Sequence, residues 1–234
     1  MLDDPGSGLD LPAAVIVEAV QGEGGINVAS APWLQRLRAI TEARGILLIL
    51  DEIQAGVGRT GAFFAFEESG IVPDIVTVSK SISGSGLPMS LVLLRPEVDV
   101  WKPGAHTGTF RGNNLAFVSA RVALENYWAN DAFVDEIARK SAFLAEALEE
   151  IAAANPELGL TVRGRGLMYG LVSDGDRTLA GRISKEAFTR GLVIETSGAF
   201  DEVLKFLPAL TISEDELARG LAIVRESLAS VLAA

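Results

Sequence analysis

Short apolar runs alternate with stretches of helical spacing through the first half of the chain. Ala13–Val17, Ile46–Leu50, Ile75–Val78 and Leu91–Leu94 are each continuous rather than alternating, the pattern of strands covered on both faces in an α/β layer. Between the first two, Ser30-Ala31-Pro32 reads as a helix start. Trp33, Leu34, Leu37 and Ile40 then recur at helical spacing until Gly45 ends the helix. Beyond Asn113 the texture changes. Leu115–Trp128 reads as helix, and a longer helix carries Phe133, Ile137, Leu144, Leu148 and Ile151 on one face until Asn155-Pro156 stops it. A mixed segment runs through Met168–Val172, followed by a helix near Leu179–Thr189 and short strands at Leu192–Ile194 and Val203–Phe206. The last helix opens with a capping box, Ser213-x-x-Glu216, and turns Leu217, Leu221, Val224, Leu228 and Val231 inward. These elements predict a sheet-based α/β domain over residues 1–129 and a smaller α+β domain over 130–234, with no internal repeat.

Composition narrows the chemistry. A net charge of -11 over 234 residues argues against nucleic acid, whose phosphates are held by an excess of Lys and Arg. The chain has no cysteine and one histidine, His106, so thiolate sites and most histidine-based metal clusters are excluded and no metal is expected. Met1-Leu2-Asp3-Asp4-Pro5 is acidic and turn-like, the opposite of a signal peptide, and the apolar runs are too short to cross a bilayer. The expectation is a cytoplasmic protein acting on small molecules.

Two residues stand where open α/β sheets place their ligands. Asp51 closes the run Ile46–Leu50, and Lys80 follows Ile75–Val78 just ahead of the flexible Ser81-Ile82-Ser83-Gly84-Ser85-Gly86. Each alone has a plainer explanation, since strands often end in polar residues and lysines usually sit on surfaces. Between them Gly56-Val57-Gly58-Arg59-Thr60-Gly61 matches the dinucleotide pattern G-x-G-x-x-G. That pattern should follow its strand at once and open a helix. Here Asp51–Ala55 intervene and Phe63-Phe64-Ala65-Phe66 follows, so a nicotinamide cofactor is rejected.

Four blocks taken together are more specific. Glu18-Ala19-Val20-Gln21-Gly22-Glu23-Gly24-Gly25, Asp51-Glu52-Ile53-Gln54-Ala55-Gly56-Val57-Gly58-Arg59-Thr60-Gly61, Ser79-Lys80 and Gly108-Thr109-Phe110-Arg111-Gly112-Asn113 resemble, in order and spacing, the class III aminotransferases. The resemblance runs from about residue 13 to the C-terminus. It implies a fold type I transferase dependent on pyridoxal 5'-phosphate (PLP), represented here by the C-terminal part of the large mixed-sheet domain and the small α+β domain. Ser79–Met89, Trp101-Lys102-Pro103-Gly104 and Thr109–Phe117 look most like members that move the amino group of L-glutamate to L-aspartate 4-semialdehyde, giving L-2,4-diaminobutyrate for ectoine synthesis.

By that resemblance Lys80 holds the cofactor through its amine and moves the proton, and Asp51 pairs with the pyridine nitrogen. Ile53 lies against the ring face and Gln54 bonds near the ring oxygen. Thr109 reaches the cofactor phosphate of the partner subunit, which implies a homodimer. Glu18 and Glu23 flank the glycine loop on the substrate side, and Glu23 resembles a gate for a carboxylate-binding arginine. This chain departs from the pattern at that arginine: Lys205 stands there, in Val203-Leu204-Lys205-Phe206-Leu207-Pro208-Ala209-Leu210, and the expectation is that it pairs with Glu23. Lysine is a point charge that cannot grip a carboxylate bidentately. The family's N-terminal part, with its phosphate-binding loop, has no equivalent in these residues, which reads as a fragment. Two alternatives stand beside this reading: another class III ω-aminotransferase acting on ornithine, acetylornithine or 4-aminobutyrate, and a non-catalytic truncated remnant.

Overall fold

Strands β1 (Ala14–Val17), β2 (Leu47–Asp51), β3 (Ile75–Val78) and β4 (Leu91–Leu94) form one sheet in that order; β1, β2 and β3 are parallel and β4 is antiparallel to β3. The structure is a computed structural model that describes residues 2–4 and 6–233, so Met1 and Pro5 of the acidic opening lie outside the described residues. The β1–β2 crossover carries helix α1 (Ala31–Glu42). Ser30 caps α1 by accepting the Trp33 N–H, and Pro32 occupies its first turn, where a missing N–H costs nothing.

Asp74, just before β3, ties this layer together. It accepts from the Arg38 guanidinium at 2.7 Å, from the Leu48 N–H at 2.8 Å and from Arg95 at 3.3 Å, joining α1, β2 and the end of β4. Burial alone would raise its pKa; the Leu48 N–H and the Arg38 charge outweigh burial and hold the carboxyl below its ordinary value. One face of the sheet buries Leu48, Leu50, Val76 and Val78. On the other face Ile16 and Val92 are each 59% exposed, so the two-sided cover expected from the continuous apolar runs is absent there. Helix α2 (Asn114–Tyr127) closes this unit against the segment after β3: Ser119 donates to the Ser83 carbonyl at 2.7 Å. Gly84, at φ +72, leaves room for that approach, because a Cβ there would lie 3.1 Å from the Ser119 carbonyl oxygen.

A second compact unit comprises Val20–Val28, Ala55–Ala65 and Asn126–Ala234. Its helices are α3 (Ala132–Ala154), α4 (Leu179–Thr189) and α5 (Glu214–Ala233). Its sheet has the order β5-β6-β8-β7, built from β5 (Leu160–Arg165), β6 (Met168–Ser173), β7 (Glu195–Ser197) and β8 (Val203–Phe206), all antiparallel. Strand β5 lies where the apolar spacing is broken by Arg163, Gly164 and Arg165. The third strand runs over Glu195–Ser197 rather than Leu192–Ile194, because ladder pairing with β8 decides the strand there, not the apolar run. Leu204 and Phe206 enter a core with Leu144 and Leu148 of α3, Ile183 of α4 and Leu221 of α5. The opposite face of β8 is covered by residues 20–28: a Cβ on Gly25 would lie 3.4 Å from Val203. The Ser213–Glu216 capping box forms in both directions, at 3.0 and 3.2 Å. Among the described residues no helix is long and apolar enough to cross a membrane.

Candidate active site

Because β1, β2 and β3 run parallel, their carboxyl ends share one edge of the sheet. Glu18 follows β1, Asp51 closes β2, and Lys80 lies two residues beyond β3. The Asp51 carboxylate accepts the Ile53 N–H at 3.0 Å, which turns the chain out of the strand and leaves Ile53 and Gln54 half-buried beside it. Its register partner is Thr77, whose hydroxyl is buried with no partner among the described residues. Lys80 sits at φ +51, a left-handed backbone position uncommon for a residue with a side chain and found where surrounding contacts enforce it. Those contacts are visible. The Ser79 hydroxyl donates to the Met89 carbonyl at 2.8 Å, and the Ser83 hydroxyl donates to the Lys80 carbonyl at 3.3 Å. The Lys80 side chain is exposed, and its amine has no partner among the described residues.

Next to Ser79 opens a cavity of about 670 Å³ lined by Met89, Ser90, Phe110, Arg111 and Asn113 among others. Thr109 lies in an exposed turn and does not itself line this cavity, though Phe110 and Arg111 do. The Thr109 hydroxyl has no partner among the described residues.

Glu23 and Lys205 belong to the second unit, and the structure brings them together. Lys205 Nζ lies 2.8 Å from a Glu23 oxygen and 3.1 Å from a Glu195 oxygen. Burial disfavours the Lys205 charge, but the two carboxylates outweigh it and the pKa is raised above that of an ordinary lysine. Glu23 stands at the corner of a turn closed by the Gly25 N–H to the Gly22 carbonyl at 3.2 Å, and the Gly198 N–H bonds the Glu23 carbonyl at 3.0 Å.

The Gly56–Gly61 run opens no helix; it is a series of turns, as its flanks predict. Its arginine has a structural task that sequence reading missed. The buried Arg59 guanidinium donates to the Leu167 carbonyl at 3.2 Å and to the Pro208 carbonyl, and burial lowers its pKa to about 10. Gly166, at φ +62, begins the two-residue turn between β5 and β6, where a Cβ would lie 2.6 Å from the Gly61 nitrogen. Glu195 was also not singled out from the sequence. Its only sequence signal is an acid after Leu192-Val193-Ile194, and its partner on the next strand is invisible without the β7–β8 register. No group of acidic or histidine side chains is arranged to hold a metal among the described residues.

Comparison with known proteins places the chain in a family. Residues 10–228 match the family model for aminotransferase class-III. A diaminobutyrate–2-oxoglutarate transaminase of Bordetella parapertussis is 61% identical over 232 residues, covering 99% of this chain and 53% of that protein. One of the same name from Vibrio cholerae is 58% identical over 229 residues, covering 97% of this chain and 55% of that protein. Among solved structures, N-acetylornithine aminotransferase from Stenotrophomonas maltophilia superposes with a TM-score of 0.81 at 40% identity, covering 94% of this chain and 57% of that one. An ornithine aminotransferase from Toxoplasma gondii, described with partial occupancy of PLP at its active site, gives 0.82 at 32% identity, with coverage of 93% and 51%. The chain thus spans about half the length of the relatives it matches.

Proposed function

The chain belongs to the class-III aminotransferases, and from that membership we propose that it carries the PLP-binding lysine of a transaminase moving the amino group of L-glutamate to L-aspartate 4-semialdehyde, with L-2,4-diaminobutyrate and 2-oxoglutarate as products. The observation that carries the reading is the placing of Asp51 and Lys80 at the carboxyl ends of adjacent parallel strands, with the Lys80 amine free. That edge fits PLP: a primary amine for its aldehyde, a carboxylate one strand away for its pyridine nitrogen, and an open cavity beside Ser79. The names of the Bordetella and Vibrio relatives, diaminobutyrate–2-oxoglutarate transaminases, support these products.

When bound, PLP supplies an electron sink for the charge left on the substrate carbon. Asp51 would pair with the pyridine nitrogen, where a carboxylate at hydrogen-bond distance favours the protonated form. Lys80 would hold the cofactor through its amine and move the proton at Nζ to and from the substrate carbon. Ile53 would lie against one face of the ring and Gln54 would bond near its oxygen. Lys205 receives a substrate carboxylate, Glu23 is the gate that leaves it, and Glu18 borders the substrate side at the end of β1. Thr109, exposed and with its hydroxyl unpartnered, serves the PLP phosphate of the other subunit in a homodimer. In this reading residues 1–129 are part of the large PLP domain, 130–234 form the small domain, and the reaction belongs to the cytoplasm.

The test is the visible spectrum of the purified chain titrated with PLP, beside Lys80→Ala. The expected result is a band shifted from free PLP in the parent and absent from the variant. Identical spectra would remove the cofactor role of Lys80 in this chain.

A further inference from the structure

Lys205 is an unusual cation. It is 3% exposed, yet both carboxylates on it are mostly in water, Glu23 at 71% and Glu195 at 70%. A lysine so buried needs a partner to stay charged, because desolvation penalises the ammonium and not the neutral amine. The two partners are held differently. Glu23 stands at the corner of a β-turn, with most of its side chain in water. Glu195 lies directly opposite Lys205 in the antiparallel β7–β8 ladder, so strand register keeps the two side chains on one face and adjacent.

The other charges around this amine are accounted for. Across the sheet, Arg163, Gly170, Lys205 and Glu195 occupy one row, with Gly170 leaving a gap between the two cations. On α5, Glu216 is engaged by the Ser213 hydroxyl at 2.7 Å. When Glu23 leaves, Glu195 is therefore the one carboxylate among the described residues still on Lys205. An ammonium has three N–H donors, enough for Glu195 and an incoming carboxylate together.

We propose that Glu195 is the retained counter-ion of this site, a positioning residue that keeps the Lys205 ammonium charged and aimed while Glu23 gives way to a substrate carboxylate. The proposal rests on the gate reading of Glu23 and Lys205 above. It also gives a physical reason why lysine can serve at this position: one N–H is committed to Glu195, which supplies the orientation that a guanidinium fork would otherwise provide.

The test reads the charge on Lys205 directly. Lys205 is one of five lysines, so its ¹³Cε resonance in lysine-labelled chain can be assigned with Lys205→Arg. In Glu23→Ala, with Glu195 as sole partner, the resonance is expected to show a charged amine through pH 9. In Glu23→Ala/Glu195→Gln the midpoint is expected to fall by about two pH units or more, the response of a buried lysine with no anion. Glu23→Ala/Glu195→Asp keeps the carboxylate and is expected to restore most of the difference, which a merely structural role would not predict. Equal midpoints with and without the Glu195 carboxylate, or a low midpoint in Glu23→Ala alone, would overturn the proposal. Glutarate added to Glu23→Ala then addresses the donor seat separately. A moved Lys205 resonance supports the seat, and an unmoved one removes it while a split in midpoints still establishes the counter-ion.

Discussion

In the mostly parallel sheet, Leu48, Leu50, Val76 and Val78 are buried on one face while Ile16 and Val92 on the other stand open; in the antiparallel sheet, all four residues of β8 are buried. The two lysines differ in the same way. Lys80 projects from the first unit exposed and unpartnered, whereas Lys205 in the second is enclosed and held by two carboxylates. The difference teaches how each region can serve chemistry. In the proposed function, an amine with no partner among the described residues, on an uncommon backbone position, would take a covalent partner, and a buried, paired ammonium would exchange one anion for another. Burial on both faces of β8 is what makes the counter-ions necessary, since a charge there is tolerated only with them in place.

The sharpest way to break the comparison is to cut into the better-covered region. Leu148→Ala, in the core shared by α3 and β8, is expected to cost about 2–5 kcal/mol in denaturant unfolding. Arg59→Ala leaves the carbonyls of buried Leu167 and half-buried Pro208 without their donor, and an expected loss of about 2–3 kcal/mol should be readable as a lower urea midpoint. A loss below half a kcal/mol would show that water replaces the guanidinium there.

Asp74→Asn probes the first region, with an expected cost of about 2 kcal/mol at pH 7 because Arg38 loses its anion. The sign with pH follows from the lowered carboxyl. Its folded pKa lies below the unfolded value, so its stabilisation is complete above the unfolded value, about 3.9, and is lost as pH falls through the folded one. The variant should accordingly lose less stability than the parent between pH 5 and the acid limit, and equal slopes would remove Asp74 as an acid-sensitive tie. The smallest effect is expected at Ile16→Ser, within about 0.5 kcal/mol, since the side chain is already open. A loss of several times that would mean that Ile16 is covered in solution, and the contrast between the two sheets would shrink.

Much of the framework was legible from periodicity and end signals. The four strands of the first sheet, the Ser30 cap with Pro32, helix α4 and the Ser213–Glu216 box all rest on local interactions that spacing reveals. The positions of Asp51 and Lys80 were legible too, because a polar residue closing a buried strand marks the carboxyl edge of a parallel sheet. Less was legible where strand pairing, not apolar spacing, makes the element. Strand β5, with Arg163, Gly164 and Arg165 in its length, has no apolar pattern of its own, and β7 is shifted from its apolar run by the ladder with β8.

The sequence by itself determined most of the elements and the order of the chemical motifs. Only the tertiary structure decided that residues 20–28 and 55–65 join the second unit, that Arg59 is spent on two carbonyls and that Lys205 has a second carboxylate in Glu195. The physical reason is range. Helix caps and hydrophobic periods act within a few residues and leave their trace in composition, whereas a buried cation is satisfied by whichever groups the fold carries to it, from any distance along the chain.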